Sequence, residues 1–205
     1  LITGATQGIG RSIAHRLTQA GAEVVLHCRD DRPELHTLID ELSQLNKKSP
    51  KYVTGDLRKP EICSEIMRGA LEQVPHVDIL INNAAIQPTA SLENISEKEV
   101  SEMLTINLAT PLLLIKAFSK QKIKNGAVVN ISSIEAIRPA IGHSHYASTK
   151  AGLLNLTMSS ALELGRKNIR VNSICPGLTD RSGLERDWPE GVKSWLDKVP
   201  LGRLC

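Results

Sequence analysis

The chain has 205 residues, of which 41% are hydrophobic and 23% charged, and a formal net charge of +3. That length fits one domain, here taken as residues 1–205, with enough apolar side chains for a sizeable core. The basic residues are dispersed and aromatics make up only 2% of the chain, which excludes a nucleic-acid surface or a stacking platform for single strands.

Residues 1–3 read as the end of an apolar strand that runs into Gly4-Ala5-Thr6-Gln7-Gly8-Ile9-Gly10. Ile13, Ala14, Leu17 and Ala20 then recur at helical spacing until Gly21. A strand, a glycine-rich turn and a helix N-terminus make an anion site, where unpaired N–H groups and the helix dipole face a phosphate. Glycines let the backbone turn tightly and approach a pyrophosphate. A second strand, 23–27, ends at His27-Cys28-Arg29. In dinucleotide folds this end faces the adenosine ribose; an acid there holds the 2′-hydroxyl and a base accepts a 2′-phosphate. Cys28 occupies the place of the acid and Arg29 follows, which favours NADP over NAD unless Arg29 is a plain surface residue.

Pro33 opens a helix through Leu35, Leu38, Ile39, Leu42 and Leu45. A short strand at Tyr52-Val53 leads to Gly55-Asp56-Leu57. Asp56 could accept a hydrogen bond from an adenine amino group or belong to the N-cap region of the next helix, 62–71. A fourth strand, 77–81, ends in Asn82-Asn83-Ala84-Ala85, small residues that permit backbone contact with a ribose. Ser96-Glu97-Lys98-Glu99 is a capping box that opens a long helix. Pro111 lies inside that helix and withholds the N–H owed to the Asn107 carbonyl, which predicts a hydrated carbonyl or a simple kink.

A fifth strand, 127–132, delivers Ser133 at its carboxyl end. The loop 134–145 carries Glu135, Arg138, His143 and His145, which either line a pocket mouth suited to a polar carbonyl or polyol or are solvated. The two histidines lack a third ligand, so no metal is expected. Tyr146 and Lys150 stand one turn apart on the next helix. An ammonium held near a phenol favours the phenolate and should lower the tyrosine pKa. A sixth strand, 169–174, ends at Cys175-Pro176-Gly177, and residues 178–198 read as a mobile flap with a short helix.

Alternating strands and helices predict an α/β fold: a doubly wound parallel sheet with helices on both faces, the Rossmann fold. Gly8, Arg29, Asp56, Asn82, Ser133 and Pro176 all fall at carboxyl ends of strands, the edge where such sheets bind ligands.

These motifs together resemble the short-chain dehydrogenase/reductases, in their compact single-domain branch, over the whole chain. Residues 3–10 are similar to the family's T-G-x-x-x-G-x-G cofactor motif, Asp56 matches its adenine-ring aspartate, and Asn82-Asn83-Ala84-Ala85 resembles N-N-A-G with Ala85 in place of glycine. Asn107, Ser133, Tyr146 and Lys150 match its catalytic tetrad, and Pro176-Gly177 its turn beneath the nicotinamide. Arg181 stands where a threonine usually follows, with Thr179 nearby. Gln7 stands where NADP-preferring members often carry a basic residue.

The resemblance implies hydride transfer between NADP, or alternatively NAD, and a carbonyl or secondary alcohol, with Tyr146 as general acid/base. The nucleotide would rest on Gly4, Thr6, Gln7, Gly8, Ile9, Gly10, Arg29, Asp56, Leu57, Asn83, Ala84, Ala85, Tyr146, Lys150, Pro176, Gly177 and Thr179. The small-molecule substrate would meet Ser133, Glu135, His143 and Tyr146. Pairing through helices at about 97–120 and 146–164 would give a homodimer or homotetramer. The resemblance also implies that the first strand and the C-terminal part are truncated. A nucleotide-binding sensor or scaffold without turnover is the other reading. Four scattered cysteines fit a reducing compartment, and no signal peptide or membrane span is read from the sequence, so a cytoplasmic protein is expected.

Overall fold

The computed structural model describes residues 1–46, 48–181 and 183–205. Six parallel strands form one sheet: β1 Ile2–Thr3, β2 Val25–Cys28, β3 Lys51–Thr54, β4 Ile79–Asn82, β5 Gly126–Ile131 and β6 Ile169–Ile174. Their order is β3-β2-β1-β4-β5-β6, so the chain reverses direction across the sheet between β1 and β4. That reversal opens the crevice in which doubly wound sheets bind ligands.

Helices α1 Gly8–Gln19 and α2 Pro33–Leu45 cover one face. Ala14, Leu35, Leu38 and Leu42 pack there against Ile2, Leu26 and Ile131. The other face is covered by α3 Ile62–Leu71, α4 Glu97–Leu104, α5 Thr110–Phe118 and α6 Ser144–Leu164. Ile66, Leu114 and Phe118 meet Val25, Leu80 and Val128 on that side. Aliphatic side chains supply nearly all of both cores, as strands covered on both faces require.

A π turn, Thr105–Ala109, joins α4 to α5, and the Thr110 N–H bonds the Thr105 carbonyl. Pro111 sits in the first turn of α5, where a missing N–H costs least. The expected kink is therefore a change of helical register centred on Asn107.

The run Glu97–Phe118 is 22 residues long with a mean hydropathy of 1.3 in its most apolar window, which matches a membrane span in length and composition. No span is expected from the sequence, and a core helix meets the same two criteria. Met103, Ile106, Leu114, Ile115 and Phe118 of this run are buried against the protein's own core. Val100, Leu104 and Leu112 of the same run remain exposed, as do Met158 and Leu162 on α6.

Residues 178–198 form two short helices, α7 Leu184–Asp187 and α8 Pro189–Leu196. Trp195 packs so closely on Gly177 that a Cβ there would lie 2.6 Å from its ring. Ser182, within this segment, lies outside the described residues.

Candidate active site

The glycine loop follows from close backbone packing. Gly4 and Gly8 have φ of +62° and +52°, a region that L side chains disfavour. A Cβ on Gly10 would lie 2.3 Å from the Gly4 carbonyl oxygen and 2.5 Å from Asn83 Nδ2. Gln7 caps α1 with its backbone alone, and no acid occupies the first turn. The N-terminal amides of α1 are thus left for an anion.

Asn83 holds this loop to the end of β4. Its Nδ2 donates to the Thr3 carbonyl at 2.9 Å and to the Gly4 carbonyl at 3.0 Å. Thr3 Oγ1 accepts from the Asn83 and Ala84 amides at 2.9 and 3.0 Å. Thr3 opens the glycine motif, and its hydroxyl is spent on this cross-strand stitch, a role that its place in the motif does not reveal. Ala85 is free of a left-handed backbone, so its methyl group in place of hydrogen brings no strain.

At the other end of the crevice, Arg29 is exposed and its Nε approaches Asp30 at 3.4 Å. Asp56 is gripped by Arg58, with Nη2 2.6 Å from Oδ2 and Nε 3.0 Å from both oxygens. That fork lowers the Asp56 pKa to about 2. The helix after it is capped at Glu61. Asp56 instead accepts the Arg58 amide at 3.1 Å in a local turn, which removes the N-cap reading. Leu57 is buried, and its carbonyl accepts from Thr110 Oγ1 at 3.2 Å. Thr6 and Ile9 are half-buried in the loop and Gln7 is exposed.

Ser133, Tyr146 and Lys150 are all buried, and β5 and α6 bring them together. Ser133 Oγ accepts the Glu135 amide at 3.1 Å, which caps the one-turn helix Ile134–Ala136. Lys150 Nζ donates to the Ile131 carbonyl at 2.8 Å and lies 5.6 Å from the Tyr146 ring centroid. Burial lowers the lysine pKa to about 8, offset in part by Cys175.

The tyrosine departs from the sequence expectation. Burial raises the Tyr146 pKa, a hydrogen bond with Ser133 pulls it down, and the Glu135 charge raises it. Burial is the largest cause, and the lysine, whose ammonium bonds the Ile131 carbonyl, is not among the groups that lower it.

Asn107 is almost fully buried. Its side chain clasps Ile86 from both sides, accepting from the amide and donating to the carbonyl at 2.9 Å each. The same Nδ2 lies 3.3 Å from Thr149 Oγ1, which donates to the Tyr146 carbonyl at 2.8 Å. Asn107 therefore ties the loop after β4 to the helix that carries Tyr146.

The Pro176-Gly177 turn sits beside Ser133, since the Ile134 amide donates to the Pro176 carbonyl at 2.9 Å. Thr179 Oγ1 is turned back to the Gly177 carbonyl at 3.4 Å. Arg181 pairs with Asp187 at 3.0 Å.

Glu135 and His143 join beside Tyr146, whereas Arg138 is exposed. His145 faces elsewhere, into a hollow of about 420 Å³ lined by Leu92, Ile95, Val100, Met103 and Leu104. Both of its ring nitrogens lack hydrogen-bond partners among the described residues. No cluster of metal-ligating side chains occurs among the described residues.

The fold and this edge define a nucleotide-binding α/β protein with a buried serine, tyrosine and lysine at the crevice. Residues 1–193 match the family model for the short chain dehydrogenases, and the chain belongs to that family. It is 32% identical to a 3-oxoacyl-[acyl-carrier-protein] reductase of Chlamydia trachomatis, over all of this chain and 83% of that protein. An L-xylulose reductase of Caenorhabditis elegans is 35% identical, over all of this chain and 82% of its own. A solved structure described as an NAD(P)-dependent gluconate 5-dehydrogenase of Beutenbergia cavernae, with NADP bound at low occupancy, superposes with a TM-score of 0.90. It is 28% identical and is matched over 82% of its length by the whole of this chain. Family membership makes the chain an oxidoreductase of the NAD(P)-dependent type.

Proposed function

We propose that the protein reduces a carbonyl to a secondary alcohol with NADPH, and that Tyr146 is the proton donor. The observation that carries this reading is the buried convergence of Ser133, Tyr146 and Lys150 at the sheet edge, one crevice away from the glycine loop.

The nucleotide fits the chain's own geometry. The glycine loop leaves space that side chains would fill, and α1 offers uncapped amides. Gly4, Thr6, Gln7, Gly8, Ile9 and Gly10 would hold the pyrophosphate. Asp56 and Leu57 would meet the adenine, with Asn83, Ala84 and Ala85 along a ribose. Pro176, Gly177 and Thr179 would back the nicotinamide. When bound, that ring supplies the hydride. Arg29 and Arg58 stand at the adenosine end. Arg58 is spent on Asp56, so the choice of a 2′-phosphate and hence NADP rests on the exposed Arg29, in keeping with the NADP-bound relative.

Ser133 then holds the carbonyl oxygen and stabilises the charge that builds on it. Tyr146 delivers its proton to that oxygen. A phenol whose burial keeps it neutral is in the correct state for this at neutral pH. Lys150 would anchor the nicotinamide ribose and steady the phenolate left behind. Asn107 fixes the backbone from which a proton relay to solvent starts, and the π turn explains why that backbone departs from ordinary helical bonding.

The exposed apolar residues on α4, α5 and α6 support self-association through these helices, as a homodimer or homotetramer. Cytoplasmic residence is part of the same proposal. Incubation of the full chain with a panel of carbonyls and alcohols and both nucleotides, followed by absorbance of the reduced nicotinamide, tests the enzymatic reading. Turnover of at least one carbonyl supports it. Tight nucleotide binding with no turnover anywhere in the panel would leave a sensor.

A further inference from the structure

The hollow at His145 has no part in the chemistry described above. It lies between α4 and the start of α6 and measures about 420 Å³, within the ~300–1,000 Å³ of small-molecule pockets. Two helical stripes form its facing walls. Val100, Met103 and Leu104 of α4, with Leu92 and Ile95 just before that helix, make the apolar one. His145, Ser148 and Thr149 of α6 make the polar one. Both stripes follow the i, i+3, i+4 spacing that gathers side chains on one helix face. Leu92, Val100 and Leu104 are exposed, so the hollow opens to solvent.

The polar wall narrows the occupant. Ser148 Oγ donates to the Ser144 carbonyl at 2.7 Å and Thr149 Oγ1 to the Tyr146 carbonyl at 2.8 Å, so both hydroxyl protons are spent within the helix. His145 is 8% exposed, and neither ring nitrogen has a hydrogen-bond partner among the described residues. An imidazole in its neutral form has one N–H and one lone pair, and leaving both unpaired in an apolar place is costly. The χ2 torsion of histidine is broad, so a small turn of the ring presents a nitrogen to an occupant. A hydroxyl both donates and accepts, and therefore suits either nitrogen. The Glu99 pKa is lowered chiefly by hydrogen bonds from Ser96 and to a smaller extent by interaction with His145, which places this carboxylate near the ring. It repels anions, while the apolar wall takes a hydrocarbon body.

The hollow also borders the catalytic residues. Thr149 Oγ1 accepts from Asn107 Nδ2 at 3.3 Å while it holds the Tyr146 carbonyl, and His145 directly precedes Tyr146. We propose that this hollow is a second, non-catalytic ligand site for a neutral alcohol or phenol with a short apolar body, and that Thr149 passes its occupancy to Tyr146.

The test uses the full chain, isotope-labelled at histidine nitrogens and tyrosine ring carbons, with 1-hexanol as the probe. The chain has six histidines and two tyrosines; His145→Phe assigns the His145 signals and Tyr52 serves as the internal reference. Titration should move the His145 nitrogens to saturation with a Kd of about 1 mM or below, and should move Tyr146 while Tyr52 stays unchanged. Methyl pentyl ether, an isomer that accepts but does not donate, and hexanoate, which Glu99 repels, should each bind about fivefold more weakly or worse. His145→Phe should weaken hexanol binding by about the same factor. Should that variant fail to fold, the three ligands on the wild-type chain decide. His145 signals that ignore hexanol overturn the site. Signals that follow protein dilution and lose their response to hexanol at high protein concentration also overturn it, and assign the hollow to a second copy of the chain. Equal affinity for the ether or for hexanoate overturns the hydroxyl assignment, and a response at His145 without one at Tyr146 overturns the link through Thr149. None of these readouts depends on turnover, so failure here leaves the oxidoreductase reading untouched.

Discussion

Replacement of Lys150 by methionine should move stability and activity in opposite directions. The ammonium is buried and its pKa falls from 10.5 to about 8. That shift corresponds to a cost of about 3 kcal/mol for keeping the charged form in the fold at pH 7. Against it stands the bond to the Ile131 carbonyl at 2.8 Å, and leaving that carbonyl without a donor costs ~1–3 kcal/mol. Methionine has a similar shape and no charge. At pH 7 the variant is therefore expected to equal the wild type or exceed it by up to about 2 kcal/mol, while turnover collapses. The pH dependence discriminates further. The folded-state pKa lies below the unfolded value, so the unfolded chain binds more protons between pH 8 and 10.5. Wild-type stability from this group is full above pH 10.5 and is lost as pH falls through about 8. At pH 10.5 the variant should be the less stable by ~1–3 kcal/mol, since only the lost hydrogen bond remains. Urea unfolding of both proteins at pH 7 and pH 10.5 measures the two differences. A gap between variant and wild type that stays the same at both pH values would refute the reasoning.

Two further predictions concern the nucleotide end. Gly10→Ala would place a methyl group 2.3 Å from the Gly4 carbonyl oxygen. Overpacking of this kind costs ~1–3 kcal/mol, and nucleotide affinity by fluorescence titration should fall about tenfold or more as the loop shifts. Arg58→Gln removes the main cause of the low Asp56 pKa, so that pKa should rise from about 2 toward 3.8 in an NMR titration. The pair is partly exposed, so global stability should change by less than about 1 kcal/mol.

Periodicity and alternation made most of the fold legible. Leu35, Leu38 and Leu42 at helical spacing, and runs such as Val24-Val25-Leu26, report local patterns that need no knowledge of their partners. The glycine loop, Ser133, Tyr146 and Lys150 were visible because their chemistry is carried by residue type and spacing. What stayed hidden depends on distant partners. The π turn arises with the Asn107 amide clasping Ile86, 21 residues away. Gln87 reaches Glu135 across 48 residues, which no spacing rule encodes. The direction of the tyrosine pKa shift was misread for a related cause. Helical spacing places Lys150 near Tyr146 but is silent about the burial that raises the phenol's pKa and about the Ile131 carbonyl that accepts a hydrogen bond from the ammonium. Asp56 shows the local limit, since its partner Arg58 lies only two residues on and residue type alone does not single out that pairing.

The most direct measurement is carbonyl reduction by Tyr146→Phe, set beside nucleotide binding by the same variant. Loss of the hydroxyl removes the donated proton while the ring keeps its place between Ser133 and Lys150. Turnover should drop by at least about a thousandfold with nucleotide affinity within a few-fold of wild type. Reduction that persists within a few-fold of the wild-type rate would contradict the assignment of Tyr146 as the proton donor.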